Sequence, residues 1–200
     1  MKVFVPDCAS GQLDVIFVID ASGSIGPGNF TKVLAFVENV VNDMDIGLNA
    51  IRVGALTFAD GATDVFDLKN STNNNDVITR IRGIGYQAGS TDTKAGINLM
   101  RAMFSSPSRG NRNGVQDVGI ILTDGAAKTG DPVPDAAAAK ADGIILYCLG
   151  IRTDELDVGQ VQGIASNPDS KYALIVDSFD ALSSISDDLS RGTCSEPSKS

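Results

Sequence analysis

The chain has 200 residues, 42% of them apolar and 20% charged, with a net charge of −9 at pH 7. That length and balance describe one globular domain, and the acidic excess excludes nucleic acid as the main partner, because phosphate binding needs a basic face. Histidine is absent, which removes Ser-His-Asp and Cys-His nucleophile pairs, a histidine general base and any histidine-bearing zinc site.

A lead-in over residues 1–12 precedes the first strong apolar run, and within it Met1 to Val5 is too short for a signal peptide, having no h-region or cleavage site. Residues 13–19 are almost continuously apolar and stop at Asp20, as expected of a strand buried on both faces. Phe30, Val33, Leu34, Val37, Val40, Val41 and Met44 then recur at three- and four-residue spacing, which predicts a helix with one apolar stripe. A strand over 51–58 is followed, across Asp60-Gly61, by an antiparallel partner over 63–68. Short helices are expected over 76–84 and 92–104, the second turning Gly96, Leu99, Met100 and Met103 inward. Strands at 115–123, 144–149 and 172–176 alternate with helices at 135–141, 155–165 and 179–189. The domain is expected to span 13–190, with a polar tail over 191–200. No apolar run approaches the roughly 20 residues that cross a bilayer.

This alternation predicts an α/β fold: a doubly wound, mostly parallel six-stranded sheet with one antiparallel edge strand and helices on both faces. Ligands of such folds sit at the carboxyl ends of the strands, near the reversal of strand order. Arg101, Arg109 and Arg112 form a basic cluster, read as a solvated loop; a docking patch for an acidic partner is the alternative. Cys8 and Cys194 bracket the domain, and because domain termini tend to lie close, we expect them to pair. A loop that long would contribute roughly 5 kcal/mol by the chain-entropy argument. Cys148 lies in an apolar strand and reads as a buried free thiol. Two sequons, at Asn29 and Asn70, would accept glycans in a secreted protein.

Three polar clusters fall where strands end: Asp20-Ala-Ser22-Gly-Ser24, Gly89-Ser90-Thr91-Asp92-Thr93 and Thr123-Asp124-Gly125. A parallel sheet would bring all three to one edge. Together they offer only hard oxygen donors, suited to Mg²⁺, Mn²⁺ or Ca²⁺. Hydroxyls from Ser22, Ser24 and Thr91 neutralise a cation less than carboxylates do, leaving it able to seek an acidic oxygen from outside. Each cluster also has an ordinary structural reading, as a turn or helix cap.

Asp20-Ala21-Ser22-Gly23-Ser24 behind its apolar strand resembles the metal-ion-dependent adhesion site of von Willebrand factor A domains. Arg52-Val-Gly-Ala-Leu-Thr-Phe58, the Gly89–Thr93 segment and Ile121-Leu-Thr-Asp124-Gly125 resemble that family too, in particular its extracellular-matrix members of matrilin and collagen VI type. The resemblance implies metal contacts from Ser22, Ser24 and Thr91, with Asp20 and Asp124 in direct or water-mediated support. It also implies a secreted, non-catalytic adhesion module of the matrix or cell surface, engaging a Glu or Asp of a partner, with collagen a candidate. Cysteines that bracket the domain fit extracellular members. The alternatives are a matrix-assembly module that self-associates with an incidental metal, and a Mg²⁺-dependent hydrolase. The hydrolase lacks a phosphate loop, a second carboxylate adjacent to Asp20, and histidine.

Overall fold

The computed structural model describes residues 11–194; Cys8, and with it the expected pairing to Cys194, lies outside them. Six strands, β1 (Leu13–Asp20), β2 (Ile51–Phe58), β3 (Ala62–Phe66), β4 (Gln116–Thr123), β5 (Ile145–Ile151) and β6 (Ala173–Val176), form one sheet in the order β3-β2-β1-β4-β5-β6. Only β3 runs antiparallel, paired at the edge with β2. All eight residues of β1 and of β4 are buried, which is why the sequence there loses the in–out alternation of a half-exposed strand.

The helices are α1 (Gly26–Asn42), α2 (Asn74–Arg82), α3 (Thr93–Phe104), α4 (Val133–Ala141), α5 (Val158–Ile164), α6 (Asp169–Tyr172) and α7 (Ser186–Cys194). They pack in two groups, α1 with α2 and α7, and α3 with α4 and α5. Each group covers one face of the sheet. The α1 stripe is buried from Phe30 to Val41. Gly96 lets α3 settle onto the sheet: a Cβ there would stand 3.0 Å from both the Phe58 ring and Val18. Leu99, expected inward, is only half-buried, and Ile97 takes the buried position beside Met100.

Several elements depart from the sequence expectation, among them α6, where no helix was expected. The edge strand stops at Phe66, because Asp67 caps a 3-10 turn over Leu68–Asn70. The helix expected from 155 begins at Val158, where the Asp157 side chain accepts the Gln160 N–H. The single helix expected over 179–189 is a 3-10 turn, Phe179–Ser184, followed by α7. Serine accounts for the break: Ser184 Oγ donates to Ala181 O at 2.6 Å and Ser186 Oγ to Ser183 O at 3.1 Å, competing with a regular helical path. Helix α7 then runs on to Cys194, so Gly192 and Thr193, expected in the polar tail, are helical, with Gly192 lying against the Tyr147 hydroxyl.

The basic cluster resolves into three separate pairings. Arg112 grips Asp14, which is fully buried at the start of β1: its backbone N–H, Nε and Nη2 donate to that carboxylate at 2.8, 2.9 and 2.7 Å. Its guanidinium also donates to the carbonyls of Leu13 and Ala50. Arg109 pairs with Asp64 and Asp67, and Arg101 with Asp142. Each charge is matched locally. Arg112 is thus a clamp between strand starts rather than part of a solvated loop.

Candidate metal centre

Strands β1 and β4 are neighbours, Ile19 beside Leu122, while the chain leaving β1 crosses through α1 to β2 on the other side. Their carboxyl ends therefore flank the reversal of strand order. Asp20 ends β1 and Thr123 ends β4, and adjacency joins them: Thr123 Oγ1 donates to Asp20 Oδ2 at 2.7 Å. The Ser22 N–H donates to Asp20 Oδ1 at 2.9 Å. Ser24 Oγ donates to Asp124 Oδ1 at 2.7 Å, and Ser22 Oγ lies 3.1 Å from Ser24 Oγ. The third loop is stitched in by backbone, with Gly23 N–H donating to Gly89 O and Lys128 N–H to Thr91 O, both at 2.9 Å. Asp20, Ser22, Thr91 and Asp124 are buried, while Ser24 is exposed at the mouth.

None of Ser22, Ser24, Thr91 and Asp124 serves as a helix cap or closes a local turn. Helix α1 begins after Ile25 with no side-chain cap, so neither Ser22 nor Ser24 serves it. Helix α3 is capped by Asp92, whose Oδ1 accepts the Ala95 N–H at 3.0 Å, which leaves Thr91 free of that task. Asp124 reaches across 100 residues of sequence to Ser24 instead of closing a local turn.

The electrostatics point the same way. Burial pushes the Asp20 carboxyl up to about 6, against the lowering effect of its bonds from Ser22 and Thr123. Asp124 is raised as well, first by burial, with the charge of Glu155 adding to the rise. Asp124 Oδ2 is buried without a hydrogen-bond partner among the described residues. Two buried carboxylates with one bare oxygen are costly unless a positive charge joins them. Among the described residues no three acidic, His or Cys side chains gather as ligands, so a cation here would rely on hydroxyls. The donors present fit a hard divalent ion.

The second loop stores strain. Ala88 adopts φ 61, the left-handed region, just before Gly89 at φ 96. A side chain there costs about 1–2 kcal/mol, part of which glycine would return as lost chain entropy. Ala88→Gly is therefore expected to stabilise the domain by about 0.5–1 kcal/mol, read as a higher urea midpoint at unchanged slope; a lower midpoint would contradict it.

Other residues singled out in the sequence lie apart from this constellation. Asn29 stands half-buried in the first turn of α1, and Asn70 Oδ1 accepts the Asp67 N–H. Cys148 is a buried free thiol, its pKa pushed up to about 12 by burial. Sequence reasoning assigned no role to Thr153, whose Oγ1 donates to the Asp124 carbonyl at 2.5 Å, nor to Lys128 and Glu155, which pair at 2.9 Å beside the site. Thr123 was legible as the neighbour of Asp124. Thr153 and Glu155 carry no local signal, because only the β5–α5 connection brings them there, and Lys128, four residues after Asp124, is marked out only by its pairing with Glu155.

A doubly wound sheet whose reversal point gathers hydroxyls and two carboxylates defines a class of domain, and residues 14–188 match one such family, the von Willebrand factor type A domain. The chain belongs to that family. It is 32% identical over 194 residues to the collagen alpha-4(VI) chain of Mus musculus, covering 95% of this chain and 8% of that protein. It is 33% identical over 181 residues to matrilin-4 of Homo sapiens, covering 88% of this chain and 28% of that one. Among solved structures it is similar to proximal thread matrix protein 1 from the mussel byssus with a zinc-occupied MIDAS motif, at TM-score 0.83 and 30% identity, covering 94% of this chain and 47% of that one. The chain thus spans less than a third of those two curated relatives. Among the described residues no helix is long and apolar enough to cross a membrane.

Proposed function

We propose that this domain is an extracellular protein-binding module in which Asp20, Ser22, Ser24, Thr91 and Asp124 hold a divalent cation, Mg²⁺ in the first instance and Mn²⁺ or Ca²⁺ as substitutes. The observation that carries the reading is the bare, buried Oδ2 of Asp124, on a carboxylate that accepts from Ser24 Oγ and whose charge acts on the buried Asp20. When bound, the cation supplies an electrophile for a Glu or Asp carboxylate of a matrix or cell-surface partner, collagen among the candidates. Asp20 and Asp124 provide the balancing charge, and Thr123 and the Ser22 N–H fix the Asp20 carboxylate in place. Ser24, alone exposed, marks the side from which a partner approaches. Relatives that include a collagen chain and a byssal thread matrix protein support a matrix setting and a non-catalytic role. The zinc of the byssal protein belongs to that protein; the all-oxygen donor set here favours harder ions.

Capture from matrix extract tests the reading. Binding in Mg²⁺ should be lost in EDTA, and Thr91→Ala should weaken it roughly tenfold or more. Undiminished capture in EDTA would overturn the cation-mediated function.

A further inference from the structure

Beside the candidate centre stands an ion pair that none of the three motifs contains. Lys128 Nζ lies 2.9 Å from Glu155 Oε2, and both side chains are about half exposed. Their backbones are anchored to the site. The Lys128 N–H donates to Thr91 O, the Glu155 carbonyl accepts from Ala126 N–H at 2.9 Å, and the Glu155 N–H is held by Thr153 Oγ1, which itself donates to the Asp124 carbonyl. Glu155 Oε2 and Ser24 Oγ both come within 3.9 Å of the point where a Gly125 Cβ would stand. The pair is therefore within a few side-chain diameters of the mouth of the site, on the solvent side.

Charge accounting gives it a task. Asp20 and Asp124 together cancel a divalent ion, so a carboxylate arriving from outside meets whatever net charge the rim carries. Glu155 alone would make that rim repulsive, and Lys128 restores it to neutrality. We propose that the Lys128–Glu155 pair sets the selectivity of the site, Glu155 favouring the cation and opposing an acidic partner, Lys128 doing the reverse. The inference rests on the cation-binding reading above.

The two side chains should push two measurable affinities in opposite directions, which a merely structural role cannot do. Glu155→Gln removes a nearby negative charge and frees Lys128: Mn²⁺ should bind more weakly, and acetate added to the Mn²⁺ form more tightly. Lys128→Gln should give the mirror image. Through partly exposed, screened positions each shift is roughly threefold to tenfold, shrinking in high salt. The double variant should return both constants close to wild type. Mn²⁺ affinity is read by calorimetry on the whole chain, and acetate by loss of water-proton relaxation enhancement. Shifts of one sign in both variants, or none, would overturn the selectivity role. Failure of the wild type to bind Mn²⁺ would instead overturn the proposed function itself.

Discussion

Asp20→Asn is expected to make the metal-free domain more stable than wild type near neutral pH while erasing the stabilisation that Mg²⁺ confers. In the folded protein the Asp20 carboxyl is raised to about 6, above the ~3.9 of an unfolded aspartate. The folded state thus holds the proton more tightly than the unfolded one. The contribution of this group is complete below about pH 4 and is lost as pH rises through about 6, at a cost of about 3 kcal/mol above it. Asparagine removes the charge and keeps the bonding: its carbonyl can accept the Ser22 N–H, and the Thr123 hydroxyl can donate to Gly125 O, 3.1 Å away. In wild type, Mg²⁺ at a hundredfold excess over its Kd should add about 2.7 kcal/mol, a rise of roughly 5–10 °C in Tm. The variant should show no such rise. Thermal melts in EDTA and in Mg²⁺, near pH 5 and pH 7.5, separate these effects. Equal Mg²⁺ shifts in both proteins would remove Asp20 from the site.

At the opposite end of the sheet, Arg112→Met should be the most damaging of the arginine substitutions. It leaves the fully buried Asp14 carboxylate with no counter-charge, and breaking a buried pair from one side costs about 3–5 kcal/mol. Against a total stability of roughly 5–15 kcal/mol, that is about a fifth or more. Arg101→Met is the control. Its pair with Asp142 is 30% and 50% exposed, and such pairs contribute about 0–1 kcal/mol. Urea midpoints would rank them, and an Arg112→Met domain as stable as Arg101→Met would refute the clamp. Adding Asp14→Asn to Arg112→Met should recover part of the loss, since the orphaned charge is then gone.

The contrast between these arginines shows where sequence reading stops. Arg101, Arg109 and Arg112 stand close in the chain and look alike, yet only the fold places Arg112 against the start of β1. Strand β1 and the α1 stripe were legible because burial on both faces and a 3.6-residue period leave unmistakable apolar patterns. The broken helix at Ile185 was not, because serine hydroxyls turned back to the backbone leave the apolar spacing intact. A helix cap was expected within the Gly89–Thr93 cluster as the structural alternative to a metal ligand, and the structure gives that task to Asp92, whose side chain accepts the Ala95 N–H.

By itself, the sequence determined the kind of fold, the three polar strand ends and the hard-oxygen character of any ion they hold, since these follow from local period and donor chemistry. Tertiary structure decided what could be decided only by adjacency. The β1–β4 pairing joins Asp20 to Thr123 and Ser24 to Asp124 over about 100 residues of chain. The loop after β5 brings Glu155 to the rim, beside Lys128 of the loop after β4. Burial then raises Asp20 and leaves one oxygen of Asp124 bare. Desolvation and long-range contact are properties of the packed molecule, and no residue's neighbours in sequence carry them.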